Sequence, residues 1–445
     1  MEQYSVRAEI QAATNDLRIN VNENSESQME DQDRALANNI TQMLESLEPP
    51  LSPECCIYRV PSDLRKVNEK AYTPEVISIG PFHHGDKRLE TMEKLKVTYF
   101  KRFVQKAALN VENLVSIIRD REVAVRRCYA ETIQLSSDNC VKMILGDASF
   151  IIMFFLTCKP KEWTSTCEDN LTPRLISTLR KDIRLLENQL PFFVIEELYN
   201  FAFASCSNLP SFAELAIRFF ARSNSRKISL DPNLKIRHFI DLLRTSFLPQ
   251  SISQRLPQRN RGIKVTHLYS ASQLDEAGVK FKVDSSNCLF DLKFTKGVLK
   301  IPRIKLHNNT ESLFRNIMAL EQLHYPFDGY FTDYIRVLDF LIDTPKDVDL
   351  LVRKRILVNG LGDSNAVTTL VNNLCRQIFI SEANSDYFDL CNHLNNFYED
   401  PWHSWKAALR RDYFSTPWRT ASTVAAIILL VLTFTQTICS IISLW

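Results

Sequence analysis

From Ala421 to Trp445 the chain carries no charged side chain. A helix needs about 20 apolar residues to cross the hydrocarbon core of a bilayer, and this stretch of Ile, Leu, Val, Thr and Ala is long enough to do so with some tilt. Its polar members, Thr433, Thr435, Gln436, Thr437 and Ser440, can bond back to their own helix or to a neighbouring one. A buried core helix of this length would normally show charge on its outer face. The sequence therefore predicts a body hanging from a membrane by a C-terminal transmembrane helix.

The flanking charges orient that body. Lys406, Arg410, Arg411 and Arg419 precede the segment and nothing basic follows it, so the positive-inside bias predicts a cytosolic body on a single-pass tail anchor in the plasma membrane or endoplasmic reticulum. An extracellular body is the alternative. Residues 1–50 contain no apolar run that would serve as a signal peptide. Three sequons, at Asn39, Asn170 and Asn308, would be acceptors only if the body were luminal. The 11 cysteines include no C-x-x-C pair, which predicts reduced, mostly buried thiols and no metal site.

Charge divides the remainder. Residues 1–50 are net −7 and have no aromatic residue after Tyr4, the pattern of a disordered or loosely helical acidic arm. The rest carries about +9, an excess suited to an anionic membrane surface. The overall net charge of +2 gives no strong pull toward nucleic acid. With 45% hydrophobic residues the chain can bury a large core.

Apolar periodicity makes the body, residues 51–415, mainly helical. Phe331, Tyr334, Ile335, Leu338, Leu341 and Ile342 lie on one helix face. Leu313, Phe314, Ile317 and Leu320 form another behind Thr310 as N-cap. Val367, Leu370, Val371 and Leu374 follow Ser364, and Tyr387, Phe388, Cys391, Leu394, Phe397 and Tyr398 run up to Pro401. Phe150 to Leu156 is apolar but too short to span, which predicts a core helix bounded by Asp147 and Lys159. Asp347 and Asp349 suit a helix N-terminus after Pro345. Trp402, Trp405 and Trp418 stand where rings favour the headgroup region or pack on the body. At about 279–306 the period changes to two: Val279, Phe281 and Val283, then Phe290, Leu292 and Phe294, a turn at Thr295-Lys-Gly297, and a strand bent by Pro302. The expected fold class is thus mostly α with a small antiparallel β insert (α+β), plus one C-terminal transmembrane helix at 418–445.

Seven strings together resemble the plant domain-of-unknown-function 247 family: "CCIYRVP" at 55–61, "VISIGPFHHGD" at 76–86, "DIRLLENQLPFFVIEELY" at 182–199, "LDEAGVKFK" at 274–282, "GVLKIPRIKLHNNTESLFRNIMALEQ" at 297–322, "YIRVLDFLIDTPKDVDLL" at 334–351 and "YFSTPW" at 413–418. The resemblance covers about residues 55 to 445. It implies a single-span membrane protein with a mostly helical body and no established enzymatic activity. Some members are linked genetically to self-incompatibility in grasses, which suggests recognition by protein contact. The family's pattern has an acidic residue shortly after a D-G-C-F string; this chain reads Asp147-Ala-Ser-Phe150-Ile-Ile-Met153, which leaves any role tied to that carboxylate unsupported.

Those strings hold the candidate site residues. Gly80, Pro81, Phe82, His83, His84 and Gly85 read as a turn; adjacent imidazoles in an extended loop point apart, so surface contact is a better reading than metal binding. Glu187, Asn188 and Gln189 form a polar trio in an apolar run, suited to satisfying backbone groups near Pro191. Arg315, Asn316 and Glu321 share a helix; Arg315 and Glu321 are not an i, i+4 pair, which predicts that they cap or cross-link neighbouring helices. No hydrolase, zincin, phosphate-loop, kinase or dinucleotide motif is present. Two functions follow as expectations: a membrane-anchored recognition or signalling module acting on a protein partner without catalysis or cofactor, or a membrane-bound enzyme of unrecognised type acting on a lipid or small metabolite.

Overall fold

The computed structural model describes residues 32–43, 51–157, 171–206, 208–220, 235–248, 267–286, 288–379, 385–402, 405, 409, 413 and 417–442. It divides into two units, Met1–Pro53 and Glu54–Trp445. In the first, residues 32–43 form a helix, α1, whose side chains are all exposed, Asn39 included. The rest of the expected acidic arm, residues 1–50, lies outside the described residues, as does Asn170.

The second unit begins with mostly irregular chain and short turns over residues 54–89, around α2 (Ser62–Val67), then α3 (Glu90–Ala107), α4 (Val111–Arg127), α5 (Ser137–Thr157), α6 (Pro173–Asp182), α7 (Phe192–Ala202), α8 (Phe212–Phe220) and α9 (Phe239–Phe247). After α10 (Ala271–Glu276) come strands β1 (Lys280–Asp284), β2 (Lys293–Thr295), β3 (Val298–Pro302) and β4 (Ile304–Leu306). Helices α11 (Thr310–His324), α12 (Tyr330–Leu341) and α13 (Pro345–Arg353), strand β5 (Leu357–Asn359), α14 (Ser364–Leu374), α15 (Ser385–Glu399) and α16 (Pro417–Ile442) complete it.

Helix α5 is the axis of the N-terminal half, with α3, α4, α7 and α8 packed on it. The apolar run Phe150–Leu156 is its last two turns. Asp147, expected to bound the helix, lies inside it, because the helix starts ten residues earlier at Ser137. Phe155 stacks on Phe219 at 4.1 Å, and Phe150 meets Tyr99 at 5.0 Å between ring centroids. These offset and tilted contacts suit the quadrupoles of the rings. The expected apolar faces of α11, α12 and α14 are buried as read from the sequence. Thr310 is the first residue of α11 rather than its cap: its Oγ1 accepts from the His307 N–H, which ties the preceding turn. At α13 the acidic signal acts as expected. Thr344 and Asp347 form a capping box around Pro345, and the same Asp347 carboxylate accepts from Ser270 and Ser272, holding α10 against α13.

The β insert differs in pairing from the antiparallel sheet expected. Its order is β1-β3-β2, with β2 and β3 antiparallel and β1 and β3 parallel. Lys296 and Gly297, both at positive φ, make the two-residue turn that joins β2 to β3. That hairpin fills one edge of β3, so β1 must take the other, and does so in parallel. Phe290 and Leu292 fall in the connection, not on a strand. Past Pro302 the chain leaves this sheet, and β4 pairs in parallel with β5, a strand not marked by the sequence.

Two helices are apolar and long enough to cross a membrane, and burial separates them. The apolar window of α5 is 78% buried, that of α16 is 0% buried. The body thus uses one as its core and leaves the other without protein around it. Trp402, Trp405 and Trp418 are exposed, at 77%, 73% and 84%, so they do not pack on the body.

Removing a ring from the α5 cluster leaves a cavity that rigid helices cannot close. Phe155→Ala is expected to cost about 3–5 kcal/mol, measured as a lower denaturant midpoint at unchanged slope; a loss under about 1 kcal/mol would mean that α5 is not the core axis.

Candidate functional site

The residues singled out by the sequence converge on the irregular segment between Glu54 and Gly85. Parts of this segment, Cys55–Ile57, Val60 and Ile77–Gly80 among them, are buried, so their backbone N–H groups need partners. Four side chains from the other half of the fold provide them. Asp182, the last residue of α6, accepts from the N–H groups of Glu75, Val76 and Ile77 at 3.0, 2.7 and 3.0 Å. Asn188 accepts from the Ile79 N–H at 2.7 Å and donates to the Ile77 and Asp182 carbonyls. Asp147 accepts from the Gly80 N–H at 2.8 Å. Glu187 accepts from the Val60 N–H at 2.8 Å. Gln189 acts in the other direction, donating to the Ile183 and Leu185 carbonyls and accepting from the Phe239 N–H.

The trio Glu187-Asn188-Gln189 thus satisfies backbone groups, as expected, but on the partner segments Val60, Ile79 and Phe239 rather than those beside Pro191. Gly80 shows how tightly the loop is set. Its φ is +74°, and a Cβ there would lie 2.3 Å from the Gln189 carbonyl oxygen. Only glycine fits.

Charges lock the same frame. Lys96 bonds to Asp147 at 2.6 Å and to Glu93 at 2.6 Å, with Lys96 and Asp147 both almost fully buried. Burial opposes the ammonium of Lys96, but the Asp147 and Glu93 carboxylates outweigh it and raise its pKa. Burial pushes the Asp147 carboxyl up, and the Lys96 charge pulls it back. The second Glu187 oxygen faces Arg65 at 2.6 Å, Arg59 at 3.6 Å and His83 Nε2 at 3.6 Å. Burial, then the charges of Arg59 and Arg65, press the His83 pKa down to about 4. This imidazole is neutral at pH 7.

The outward side of the loop is what remains accessible. Pro81–His83 form a single 3₁₀ turn. The Arg59 guanidinium lies 4.5 Å over the Phe82 ring and pairs with Glu131 at 2.8 Å. Beneath, Phe82 meets Tyr129 edge-on. His84 and Gly85 are exposed. His83 points inward to Glu187 while His84 faces out, so the two imidazoles do not converge. Among the described residues no group of three or more His, Cys, Asp or Glu side chains is placed to hold a metal ion.

Glu321 centres a second cluster. It accepts from Arg244 at 2.9 Å and caps α12 through the N–H groups of Phe331 and Thr332 and the Thr332 hydroxyl. Arg244 also stacks 3.9 Å over Tyr325, whose hydroxyl donates to Asp241. Asn316 accepts from the Leu186 N–H and donates to the Ala71 carbonyl. Arg315 reaches Glu311 and the Asn373 carbonyl. These residues cap and cross-link helices, as expected. Asn308 is exposed on the turn before α11, but the Thr310 of its sequon is buried.

Sequence reasoning missed Asp182, Lys96, Arg59, Arg65, Arg244 and His238. Asp182 opens one of the distinctive strings, but between Arg180-Lys181 and Arg184 it reads as one more charge on a polar helix end. Lys96 lies on an ordinary amphipathic helix with nothing local to mark it. His238 is fully buried, its Nε2–H donating to the Cys56 carbonyl and its Nδ1 accepting from the Asp241 N–H. That pattern fixes the neutral tautomer, and burial holds its pKa down at about 4.

The class defined by this fold is a mainly helical body, framed by buried polar side chains, with an unpartnered apolar helix at its C-terminal end. The chain belongs to the domain-of-unknown-function 247 family, described as plant proteins of unknown function, whose model matches residues 57–432. It is similar to UPF0481 protein At3g47200 of Arabidopsis thaliana, 29% identical over 89% of this chain and 88% of that one. It is also similar to the putative UPF0481 protein At3g02645 of the same plant, 21% identical over 85% and 89% of the two chains. No solved structure matches it.

Removing one partner of the buried pair strands the other. Lys96→Met is expected to cost about 3–5 kcal/mol, while Lys96→Met with Asp147→Leu recovers part of that loss; denaturant unfolding of both variants checks it. A pH prediction follows from the histidines. Between pH 6.5 and about 4 the unfolded chain takes up protons that buried neutral His83 and His238 refuse, so they withdraw stability as pH falls through that window. Asp182, pushed up to about 6 by burial, has the opposite sign, losing its contribution as pH rises from 3.8 to 6. His238→Gln should therefore flatten the fall in melting temperature between pH 6.5 and 4 relative to the parent; an equal fall in both would refute the neutral assignment.

Proposed function

We propose that this protein is a membrane-anchored recognition module that acts by protein contact through the surface of the Gly80–Gly85 loop. The observation that carries the reading is how the polar residues of the distinctive strings are used. Asp182, Asn188 and Asp147 hold the backbone from Glu75 to Gly80 that leads into the loop, and Glu187 holds Val60 and faces His83 from behind. Rigid scaffolds presenting an exposed loop are a common basis for binding. The outer face offers an arginine over an aromatic ring, an acidic neighbour and an exposed imidazole, residue types that often anchor protein interfaces. Ordering this loop beforehand lowers the entropy lost on binding.

The anchor is α16, with Lys406, Arg410 and Arg411 before it in the sequence and Arg419 in its first turn. The charge bias supports a body on the cytosolic side of the plasma membrane or endoplasmic reticulum.

Partner capture from plant membranes tests the contact. The parent chain and a Phe82→Ala/His84→Glu variant of equal melting temperature are compared. The variant is expected to lose a partner that the parent retains, and identical partner sets would refute the loop as the contact surface. Topology is read by adding a sequon on a short spacer after Trp445. Glycosylation there, with Asn39, Asn170 and Asn308 unmodified, is expected; modification of any of the three instead places the body on the luminal side.

A further inference from the structure

Two cysteines far apart in sequence meet where the start of the body crosses the end of α4. Ile57 and Tyr129 form an isolated parallel bridge. The Ile57 N–H donates to the Cys128 carbonyl at 2.9 Å, and the Ala130 N–H donates to the Ile57 carbonyl at 3.0 Å. The Cys56 N–H donates to the same Cys128 carbonyl, also at 2.9 Å. One residue back from the bridge on both chains, Cys56 therefore stands beside Cys128. Paired backbones lie about 4.7–4.9 Å apart, and a disulfide accepts Cα separations of about 4.4–6.8 Å. Both residues are free thiols.

The thiols face each other. The Cys128 Sγ–H donates to the Ala124 carbonyl at 3.3 Å, and its sulfur accepts from the Cys56 thiol. That second bond draws the Cys128 pKa below the usual thiol value although burial opposes it, and pushes the Cys56 pKa up. Cys128 is thus the more readily ionised of the two, and the thiolate is the reactive form. Cys56 and Cys128 are 3% and 5% exposed. They lie just beneath the surface, however: Arg127, next to Cys128, and Glu54, two residues before Cys56, are exposed. Tyr129, next to Cys128, lies under Phe82.

We propose that Cys56 and Cys128 are an oxidation site, closed by hydrogen peroxide to an intrachain disulfide that ties the chain ahead of Val60 to the end of α4. The Cys128 thiolate attacks one peroxide oxygen and the O–O bond breaks. The departing hydroxide takes up the proton that Cys128 released and leaves as water, so Cys128 becomes a sulfenic acid. The Cys56 sulfur then attacks the Cys128 sulfur, the S–O bond breaks, and the Cys56 proton leaves with the hydroxyl as a second water. Two electrons pass from the sulfur pair to one peroxide. A dithiol reductant restores both thiols by exchange. The bond would close a loop of about 70 residues, and long loops are where a cross-link restricts the unfolded chain most. This inference stands whether or not the Gly80–Gly85 loop contacts a protein.

The test uses the full chain in phosphatidylcholine nanodiscs, reduced, freed of reductant and treated with hydrogen peroxide. Remaining thiols are blocked with N-ethylmaleimide, and cleavage after Glu and Arg releases Cys55–Arg59 and Cys128–Glu131 as separate peptides. Mass spectrometry is expected to find these two peptides joined, in chains that run as monomers on a non-reducing gel, and separated again by dithiothreitol. The melting temperature is expected to rise by about 5 °C on oxidation. Cys55→Ser should keep the link, whereas Cys56→Ser should abolish it and leave a Cys128 sulfenic acid that dimedone traps. No link in the parent chain, a link only between two chains, or a link that survives Cys56→Ser would overturn the pair. A melting temperature unchanged or lowered by the bond would overturn its fit to the native backbone.

Discussion

The segment from Glu54 to Gly85 buries Val60 and Ile77–Gly80 without belonging to a helix bundle or a sheet, and its backbone hydrogen bonds decide the architecture. An N–H removed from water without a partner costs a large share of a domain's net stability. Here Asp182 takes three such groups, and Glu187, Asn188 and Asp147 take one each. These acceptors reside on α5, α6 and the turn after α6. The N-terminal segment can therefore pack only in one register against that half of the fold. Arg65 and Lys96 balance the charge that this solution buries.

A comparable rule governs the C-terminal half. Glu321 caps α12 while pairing with Arg244 of α9, and Asn316 ties α11 to the chain at Leu186 and Ala71. Asp347 caps α13 and holds α10. In each case one buried polar side chain closes a helix and joins it to another element. Such side chains gain little net energy over apolar packing, but each accepts only one arrangement of its partners. This gives a long chain with many helices a defined order of packing. It also leaves the outer face of the Gly80 loop exposed at His84 and Gly85.

The helices were largely legible because their apolar faces repeat in the sequence, as Phe331, Tyr334, Ile335 and Leu338 do. The internal satisfaction of Glu187-Asn188-Gln189 was legible too, since a polar trio in an apolar run needs partners. Its actual partners were not. They lie more than a hundred residues away at Val60 and Ile79, and nothing local encodes such a distance. The β insert shows the same division. Alternation revealed strands and Lys296-Gly297 revealed the turn, while the parallel placement of β1 and the departure of β4 to β5 depend on which sheet edges were free.

By itself the sequence determined that one end of the chain is an uncharged helix long enough to span a bilayer, that the body is mainly helical, and that the chain has the family's distinctive strings. These are properties of composition and period, which a chain carries before it folds. Tertiary structure decided that α5 is core while α16, also apolar enough to span, is bare, and that His83 turns inward while His84 turns out. It also brought Cys56 beside Cys128. Each of these depends on which distant groups meet, and long-range contact, unlike periodicity, leaves no local trace in the order of residues.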